Sequence, residues 1–96
     1  MAAELLKEEG YEIVKQNYYC RYGEIDLICR KEGRLVFTEV KTRRSLNFGR
    51  PAEAVTWEKV LHMKRAAMEY MMEQQVMEDF DFMVVEIYIN VMKHFI

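Results

Sequence analysis

The chain has few of the residues and segments that mark secreted, disulfide-stabilised or membrane-spanning proteins. Its 96 residues include two cysteines, one proline and four glycines. No apolar run is long enough to span a bilayer, and charged residues between Glu4 and Glu9 interrupt the segment in which a signal peptide would need an apolar stretch. We therefore expect a cytoplasmic protein without membrane association, whose Cys20 and Cys29 are free thiols, with Cys29 in the core.

The rest of the composition is typical of one globular domain, spanning residues 1–96. The hydrophobic fraction is 51% and the charged fraction is 31%, which argues against disorder. A chain of this length buries about 60% of its unfolded surface, so most of its apolar residues are needed inside. Two cysteines with the distant His62 and His94 are too few soft ligands for a zinc site.

Charge is unevenly distributed along the chain. The net charge is −2, yet residues 15–65 hold twelve Lys or Arg against six Asp or Glu, while both ends are acidic. Such a basic middle is expected of a surface that binds phosphates. An ordinary solvated patch is the alternative, and it suits the three cations of the segment from Arg30 to Arg34 best.

Residue periodicity predicts an α/β domain with the element order α-β-β-β-α-β, a mixed sheet flanked by helices. The predicted elements are a helix at 2–9 ended by Gly10, strands at 11–20, about 22–30 and 34–43, a loop at 45–51, a helix at 57–75 capped by Thr56, and a strand at 80–95. The long helix is expected to bury a stripe of Trp57, Val60, Leu61, Ala67, Met68 and Met71.

The most informative segment is a predicted hairpin that contains four charged residues. Its turn lies between Lys31 and Arg34, where a glycine permits a tight bend. With a loop of two or four residues, facing positions sum to 65, so that Asp26 faces Glu39 and Glu24 faces Lys41. Period-2 alternation then places all four charges on one side of the two strands. A three-residue loop would shift this register by one.

Two facing carboxylates need a compensating charge. The Cβ atoms of directly opposed residues lie roughly 4.5–5.5 Å apart, and at an effective dielectric of about 20 two such charges repel by about 3–4 kcal/mol. A divalent cation bound by Asp26 and Glu39 would convert this repulsion into a site for Mg²⁺ or Mn²⁺. The alternative is a set of solvated charges on an exposed face.

Both faces of the hairpin carry apolar residues, which favours the metal site over that alternative. The charged face also holds Ile28 and Phe37. The other face is almost wholly apolar, with Ile25, Leu27, Cys29, Val36, Thr38 and Val40. Charges at the end of a partly buried face are costly unless they are paired or bound to metal.

These residues resemble a known family. Asp26 followed by Glu39-Val40-Lys41 looks like the PD-(D/E)xK signature of restriction-endonuclease-like nucleases. A longer ordered set is similar to the bacterial YraN family, which is similar in turn to archaeal Holliday-junction resolvases. The set comprises Asn17, Gly23-Glu24-Ile25-Asp26-Leu27-Ile28, Val36-Phe37-Thr38-Glu39-Val40-Lys41-Thr42-Arg43, Phe48-Gly49, Val55-Thr56 and Lys59.

The resemblance implies a restriction-endonuclease-like core that cleaves DNA, including branched or damaged DNA, with Mg²⁺ or Mn²⁺. It implies Asp26 and Glu39 as metal ligands, with the carbonyl of Val40 as a further oxygen. Lys41 would orient or deprotonate the attacking water, or steady charge on the phosphate. Glu24 would hold Lys41 or approach the metal through water.

The resemblance also implies a further acidic ligand from the first helix. In the family pattern a Gly-Glu pair precedes the segment that corresponds to Ala2 to Leu6, and this chain begins after that point. Glu4 is a substitute, although an acidic residue in a short helix is more typical of a solvated face.

Contacts to DNA are expected from the basic residues that follow the acidic site. The predicted set is Arg43, Arg44, Arg50, Lys59 and Arg65. His62 would be a further phosphate contact, although a lone histidine on a basic helix is more often an ordinary surface residue. Exposed methionines around Met72, Met77 or Met92 would suit a homodimer interface.

Three functions remain open. The first is a metal-dependent endonuclease. The second is a non-catalytic nucleic-acid-binding protein that keeps the nuclease fold. The third is a protein-interaction module, which would leave the acidic cluster unexplained.

Overall fold

The computed structural model describes residues 1–44 and 56–89, without the side chains of Arg44 and Ile89. Its elements are α1 (Ala2–Glu8), β1 (Glu12–Cys20), β2 (Gly23–Lys31), β3 (Arg34–Arg44), α2 (Trp57–Gln74) and β4 (Phe80–Ile89). This order confirms the predicted α/β class and the α-β-β-β-α-β succession. The predicted loop at 45–51 and the end of the last strand lie outside the described residues.

The strands form a mixed sheet in the order β1-β2-β3-β4. β1, β2 and β3 are antiparallel neighbours, while β3 and β4 are parallel. A parallel pair needs a crossover connection, and α2 belongs to that connection. Neither described helix is long and apolar enough to cross a membrane.

The central hairpin has the predicted register from its turn as far as the pair Leu27–Thr38. The predicted facing pairs Asp26–Glu39 and Glu24–Lys41 lie beyond the last paired positions, where the two strands no longer form a ladder. Lys31 pairs with Arg34 and Leu27 with Thr38, which fixes a two-residue loop. Both loop residues have positive φ, 52° at Glu32 and 77° at Gly33. That combination matches the turn whose twist suits two flanking strands.

The sheet is packed on both faces. One cluster joins α2 to the sheet and includes Ile28, Phe37 and Ala67, all at most 1% exposed. The other joins α1 to Leu27, Cys29 and Val36. Cys29 is fully buried and both cysteines are free, as expected.

Ile25 departs from the predicted alternation. It packs with Tyr18 in the cluster under α2, whereas Leu27 packs under α1. Asn17, which faces Asp26 between two paired positions, has a left-handed φ of 53°. A left-handed φ departs from the extended conformation of a strand, and the alternation of side chains between the two faces is interrupted at the same point. Asp26 therefore lies at a break in the sheet.

Helix α2 begins as predicted but buries a different stripe. Oγ1 of Thr56 accepts a hydrogen bond from the Lys59 backbone N–H at 3.2 Å, which confirms the N-cap. The expected stripe is wrong in part, because Trp57 is 87% exposed and Leu61 and Met68 are also exposed. The buried face instead consists of Met63, Ala66, Ala67, Tyr70 and Met71. Its small alanines allow the helix to approach the sheet closely.

Candidate active site

The central strands β2 and β3 stop pairing at the positions of the carboxylates Asp26 and Glu39. The β2–β3 pairing ends at Leu27 and Thr38. Continued alternation would direct the Val40 N–H to the carbonyl of Ile25. That N–H instead donates to Oδ2 of Asp26 at 2.7 Å. We name the gap beyond Leu27 and Thr38 the fork.

The hydrogen bond fixes Asp26 and orients Val40. Asp26 is held by a backbone donor, so its carboxylate has a defined position in the fork. In a strand, the N–H and C=O of one residue point to the same neighbouring strand. The Val40 carbonyl therefore also faces β2, on the side where Asp26 lies.

Glu39 has one paired oxygen and one unpaired oxygen. Its side chain is 16% exposed, and Oε1 contacts Nζ of Lys59 from the first turn of α2. Oε2 is buried and has no hydrogen-bond partner. An unsatisfied buried oxygen of this kind costs about 1–3 kcal/mol, and more when the group is charged. The arrangement leaves a hard anionic ligand available at the fork.

One cavity collects most of the predicted site. It has a volume of about 280 Å³ and is lined by Glu24, Asp26 and Glu39 together with Lys59 and His62. Three of the four charged hairpin residues therefore share one space. Met63 and Ala66 of α2 also line this cavity.

Lys41 and Glu4 border neighbouring spaces. Lys41 lines a second cavity with Glu39, Arg43 and Lys59. Glu4, an exposed residue of α1, lines a third cavity to which Asp26 and Val40 also contribute. Each of these two cavities thus shares a carboxylate with the fork.

The donor set fits a magnesium-type ion better than a transition metal held by many side chains. Within residues 1–44 and 56–89, no three His, Cys, Asp or Glu side chains form a group that could hold a metal. Mg²⁺ commonly uses one or two carboxylates and completes its octahedron with water and substrate phosphate. The unpaired oxygen of Glu39, the fixed carboxylate of Asp26 and the carbonyl of Val40 fit that requirement.

The predicted DNA contacts have different surroundings. Nε of Arg43 forms an ion pair with Oε1 of Glu86 at 3.5 Å, and the Arg43 side chain is 24% exposed. Oε2 of Glu86 accepts a 2.6 Å hydrogen bond from the Tyr88 hydroxyl. That bond, and then Arg43, lower the pKa of Glu86. Arg65 is exposed on α2, whereas Arg50 and the Arg44 side chain lie outside the described part of the chain.

The cations near the hairpin turn serve the fold. Arg30 donates to both carboxylate oxygens of Glu78 at 3.0 and 3.1 Å. Arg34 donates from two nitrogens, from Nε to Oδ2 of Asp81 at 2.8 Å and from Nη2 to Oδ1 at 3.0 Å, whereas Arg30 uses Nη2 for both of its bonds. These pairs tie the hairpin to β4 and the segment before it. Arg30 and Arg34 are thus paired within the fold, whereas the alternative considered from the sequence was a solvated patch.

Sequence reasoning assigned Lys59 to phosphate and missed its contact with Glu39. The contact joins a helix to a strand, and local periodicity does not report such pairs. A signal was present in the spacing of Lys59, His62, Met63 and Ala66, which recur at three or four residues and so share one side of α2. All four line the cavity.

Comparison with known proteins gives a family model and individual relatives that share the same family name. The model of the uncharacterised protein family UPF0102 matches residues 1–87. A UPF0102 protein of Caldicellulosiruptor saccharolyticus is 49% identical over 92 residues, which cover 94% of this chain and 77% of that protein. Another, from Syntrophomonas wolfei, is 51% identical over 71 residues, which cover 74% of this chain and 62% of that protein. A third, from Caldicellulosiruptor bescii, is 45% identical over 93 residues, which cover 94% of this chain and 77% of that protein.

Proposed function

The chain belongs to the UPF0102 family, which is the YraN family, and from this premise and the geometry of the fork we propose that it is a metal-dependent endonuclease that hydrolyses DNA. The observation that carries the proposal is the buried, unpaired Oε2 of Glu39 in a cavity shared with Asp26. A nuclease explains why a small domain keeps two carboxylates there. A cytoplasmic location suits this activity.

The chemistry divides between a cation and the side chains of the chain. A divalent cation would neutralise charge on the scissile phosphate and lower the pKa of an attacking water. Asp26 and Glu39 would hold it, with the Val40 carbonyl as a further oxygen. Lys41 orients the water or accepts its proton, and Glu24 approaches the cation through water from the wall of the cavity that it lines.

Lys59 has two roles in this proposal. Its ammonium group balances the charge of Glu39 before a cation enters, because the two side chains are in contact. Once released, the flexible lysine can reach the phosphate next to the cavity that it already lines. This accounts for a basic residue on the wall of an acidic site.

A non-catalytic nucleic-acid-binding protein is the second candidate. The Lys59–Glu39 contact favours it, since the ammonium group balances the charge of Glu39 without a metal. The described residues also contain no complete side-chain metal shell. Such a protein would bind DNA through the same basic residues without cutting it.

Cleavage assays with a matched pair of variants separate the two candidates. Linear, branched and single-stranded DNA would be incubated with Mg²⁺ or Mn²⁺. Asp26→Asn should abolish cleavage and leave DNA binding intact or tighter, since repulsion of phosphate by the carboxylate is also removed. Asp79→Asn is the control, because it makes the same change at an exposed carboxylate beside the hairpin turn. Lys41→Ala should lose cleavage but keep metal binding.

The outcomes are distinct. Metal-dependent cutting that persists in Asp26→Asn would place the activity elsewhere or in a contaminant. No cutting of any DNA form, with DNA binding retained, would select the non-catalytic candidate.

Salt dependence tests the DNA surface independently of cleavage. Each phosphate contact releases condensed counterion, so DNA affinity should fall steeply with salt. Reversing the charges of Arg43 and Arg65 should weaken binding to all sequences alike and reduce the salt slope. Lys7→Glu on α1 is the control. A slope unchanged by the double reversal would show that neither residue contacts phosphate.

A further inference from the structure

A groove runs along α2 beside the carboxylate cavity. It has a volume of about 340 Å³ and lies between Arg21 and Tyr22, at the β1–β2 turn, and the side of α2 that carries Leu61, Met68 and Met72. We name it the α2 groove. Tyr22 also lines the carboxylate cavity, so the groove and the cavity are neighbours that share one wall.

The lining of the α2 groove combines cations with exposed apolar side chains. Arg21, Lys64 and Arg65 contribute three positive charges, against one carboxylate, Glu69, among the described residues. Leu61 is 46% exposed and Met68 is 42% exposed. These apolar residues recur at helical spacing, and from Leu61 to Met72 they extend for about 16 Å along the helix axis. Exposed apolar side chains gathered beside cations at one groove are typical of a surface that binds a partner.

The aromatic part of the groove is already arranged for stacking. The guanidinium group of Arg21 lies over the ring of Tyr22, 4.8 Å from its centroid. A guanidinium plane on an aromatic ring forms a flat surface that can extend onto a further π-system. The pair stands where the groove meets the carboxylate cavity.

The combination discriminates between forms of nucleic acid. A duplex presents phosphates outward and keeps its bases stacked inside, so it needs cations but gains little from leucine and methionine. An unpaired strand exposes base faces, which bind aromatic and apolar side chains, while its phosphates bind lysine and arginine. We propose that the α2 groove binds unpaired DNA and that the substrate carries a single-stranded segment next to the scissile phosphodiester. The statement about the substrate rests on the proposed nuclease function, whereas the statement that the groove binds unpaired DNA does not.

Binding measured without divalent metal tests the groove apart from catalysis. Fluorescence anisotropy would compare labelled oligo-dT with a duplex of equal length, in the presence of a chelator. Leu61→Ser with Met68→Ser should weaken oligo-dT binding about five- to tenfold and change duplex binding less than about twofold. Met77→Ser is the control, since Met77 is 95% exposed and does not line the groove. Circular dichroism would establish that each variant is folded.

Three results would overturn the inference. Equal losses for both DNA forms would indicate that the residues act on the fold or on phosphates alone. No loss for oligo-dT would exclude the groove as its site. A sedimentation shift from dimer to monomer in the double variant, with DNA binding unchanged, would assign the surface to a second copy of the chain.

The failure of this inference is separable from the failure of the proposed function. If oligo-dT binds through the groove but no DNA is cut with metal present, the α2 groove is still a binding site for unpaired DNA and the nuclease proposal is rejected. If the protein cuts a continuous duplex as fast as a substrate with a single-stranded segment, the nuclease proposal stands. The proposal that the substrate must carry a single-stranded segment is then rejected.

Discussion

Replacing Lys59 by methionine should tighten the binding of Mn²⁺. The substitution keeps a long unbranched side chain and removes the ammonium group that contacts Oε1 of Glu39. A cation at the unpaired Oε2 of Glu39 is repelled by this ammonium group, and a cation that also uses Oε1 must displace it. The affinity of the unmodified protein for the cation is therefore reduced by up to the free energy of the ion pair, and Lys59→Met removes that reduction.

The magnitude follows from the exposure of the two side chains. At an effective dielectric of about 20, opposite charges about 4 Å apart attract by about 4 kcal/mol. The Lys59 side chain is 43% exposed and that of Glu39 is 16% exposed, so water screens one partner strongly. Exposed pairs contribute about 0.2–1 kcal/mol, and we take the upper value because Glu39 is largely buried. We expect Mn²⁺ to bind about fivefold more tightly.

Titration calorimetry with Mn²⁺ measures this difference directly. Lys64→Met is the control, since Lys64 is exposed on the same helix and lines the α2 groove instead of the carboxylate cavity. Without metal, Lys59→Met should unfold more easily, because it leaves both oxygens of Glu39 without a partner. Unchanged or weaker Mn²⁺ binding in Lys59→Met would refute the argument that this lysine competes with the cation.

Three further predictions concern the fold. The Arg34 hydrogen bond lowers the pKa of Asp81, so its contribution to stability is complete above the ordinary aspartate pKa and is lost as pH falls through the depressed value. In urea denaturation, Asp81→Asn should thus be destabilising at neutral pH and neutral in strong acid. Burial raises the pKa of the Cys29 thiol, so a thiol reagent should modify Cys20 first and Cys29 only on unfolding. Phe37→Ala should cost about 3–5 kcal/mol of unfolding free energy, because Phe37 is fully buried.

The features that sequence predicted well depend on neighbouring residues. The hairpin register follows from alternation and a glycine at the turn, and Leu27 pairs with Thr38 as expected. The cap at Thr56 likewise involves a residue three positions away. Local chemistry decides both, so no knowledge of distant packing was needed.

The features that sequence mispredicted depend on tertiary packing. Helix α2 has apolar residues on two sides, and periodicity alone does not tell which side meets the sheet. The structure buries the side with Ala66 and Ala67 and exposes Leu61 and Met68. Ile25 changes face next to Asp26, the position opposite Asn17, which adopts a left-handed conformation in mid-strand. An asparagine within a strand is a weak signal of this, since it tolerates positive φ better than most residues.

The candidate site shows the same division. Asp26, Glu39 and Glu24 were predicted from one hairpin, and the structure places them around one cavity. The contact between Lys59 and Glu39 joins elements that are distant in sequence. The contact depends on how α2 is oriented across the sheet, and that orientation is set by the packing of the helix side chains on the sheet.

Asp26 and Glu39 are proposed to hold a divalent cation together, and anomalous diffraction from crystals soaked in Mn²⁺ would locate that cation. We expect an anomalous peak in the fork within about 2.5 Å of a carboxylate oxygen of each residue. Lys59 should then have left Glu39. A crystal at saturating Mn²⁺ with no peak in the fork, and with Lys59 still on Glu39, would contradict the account.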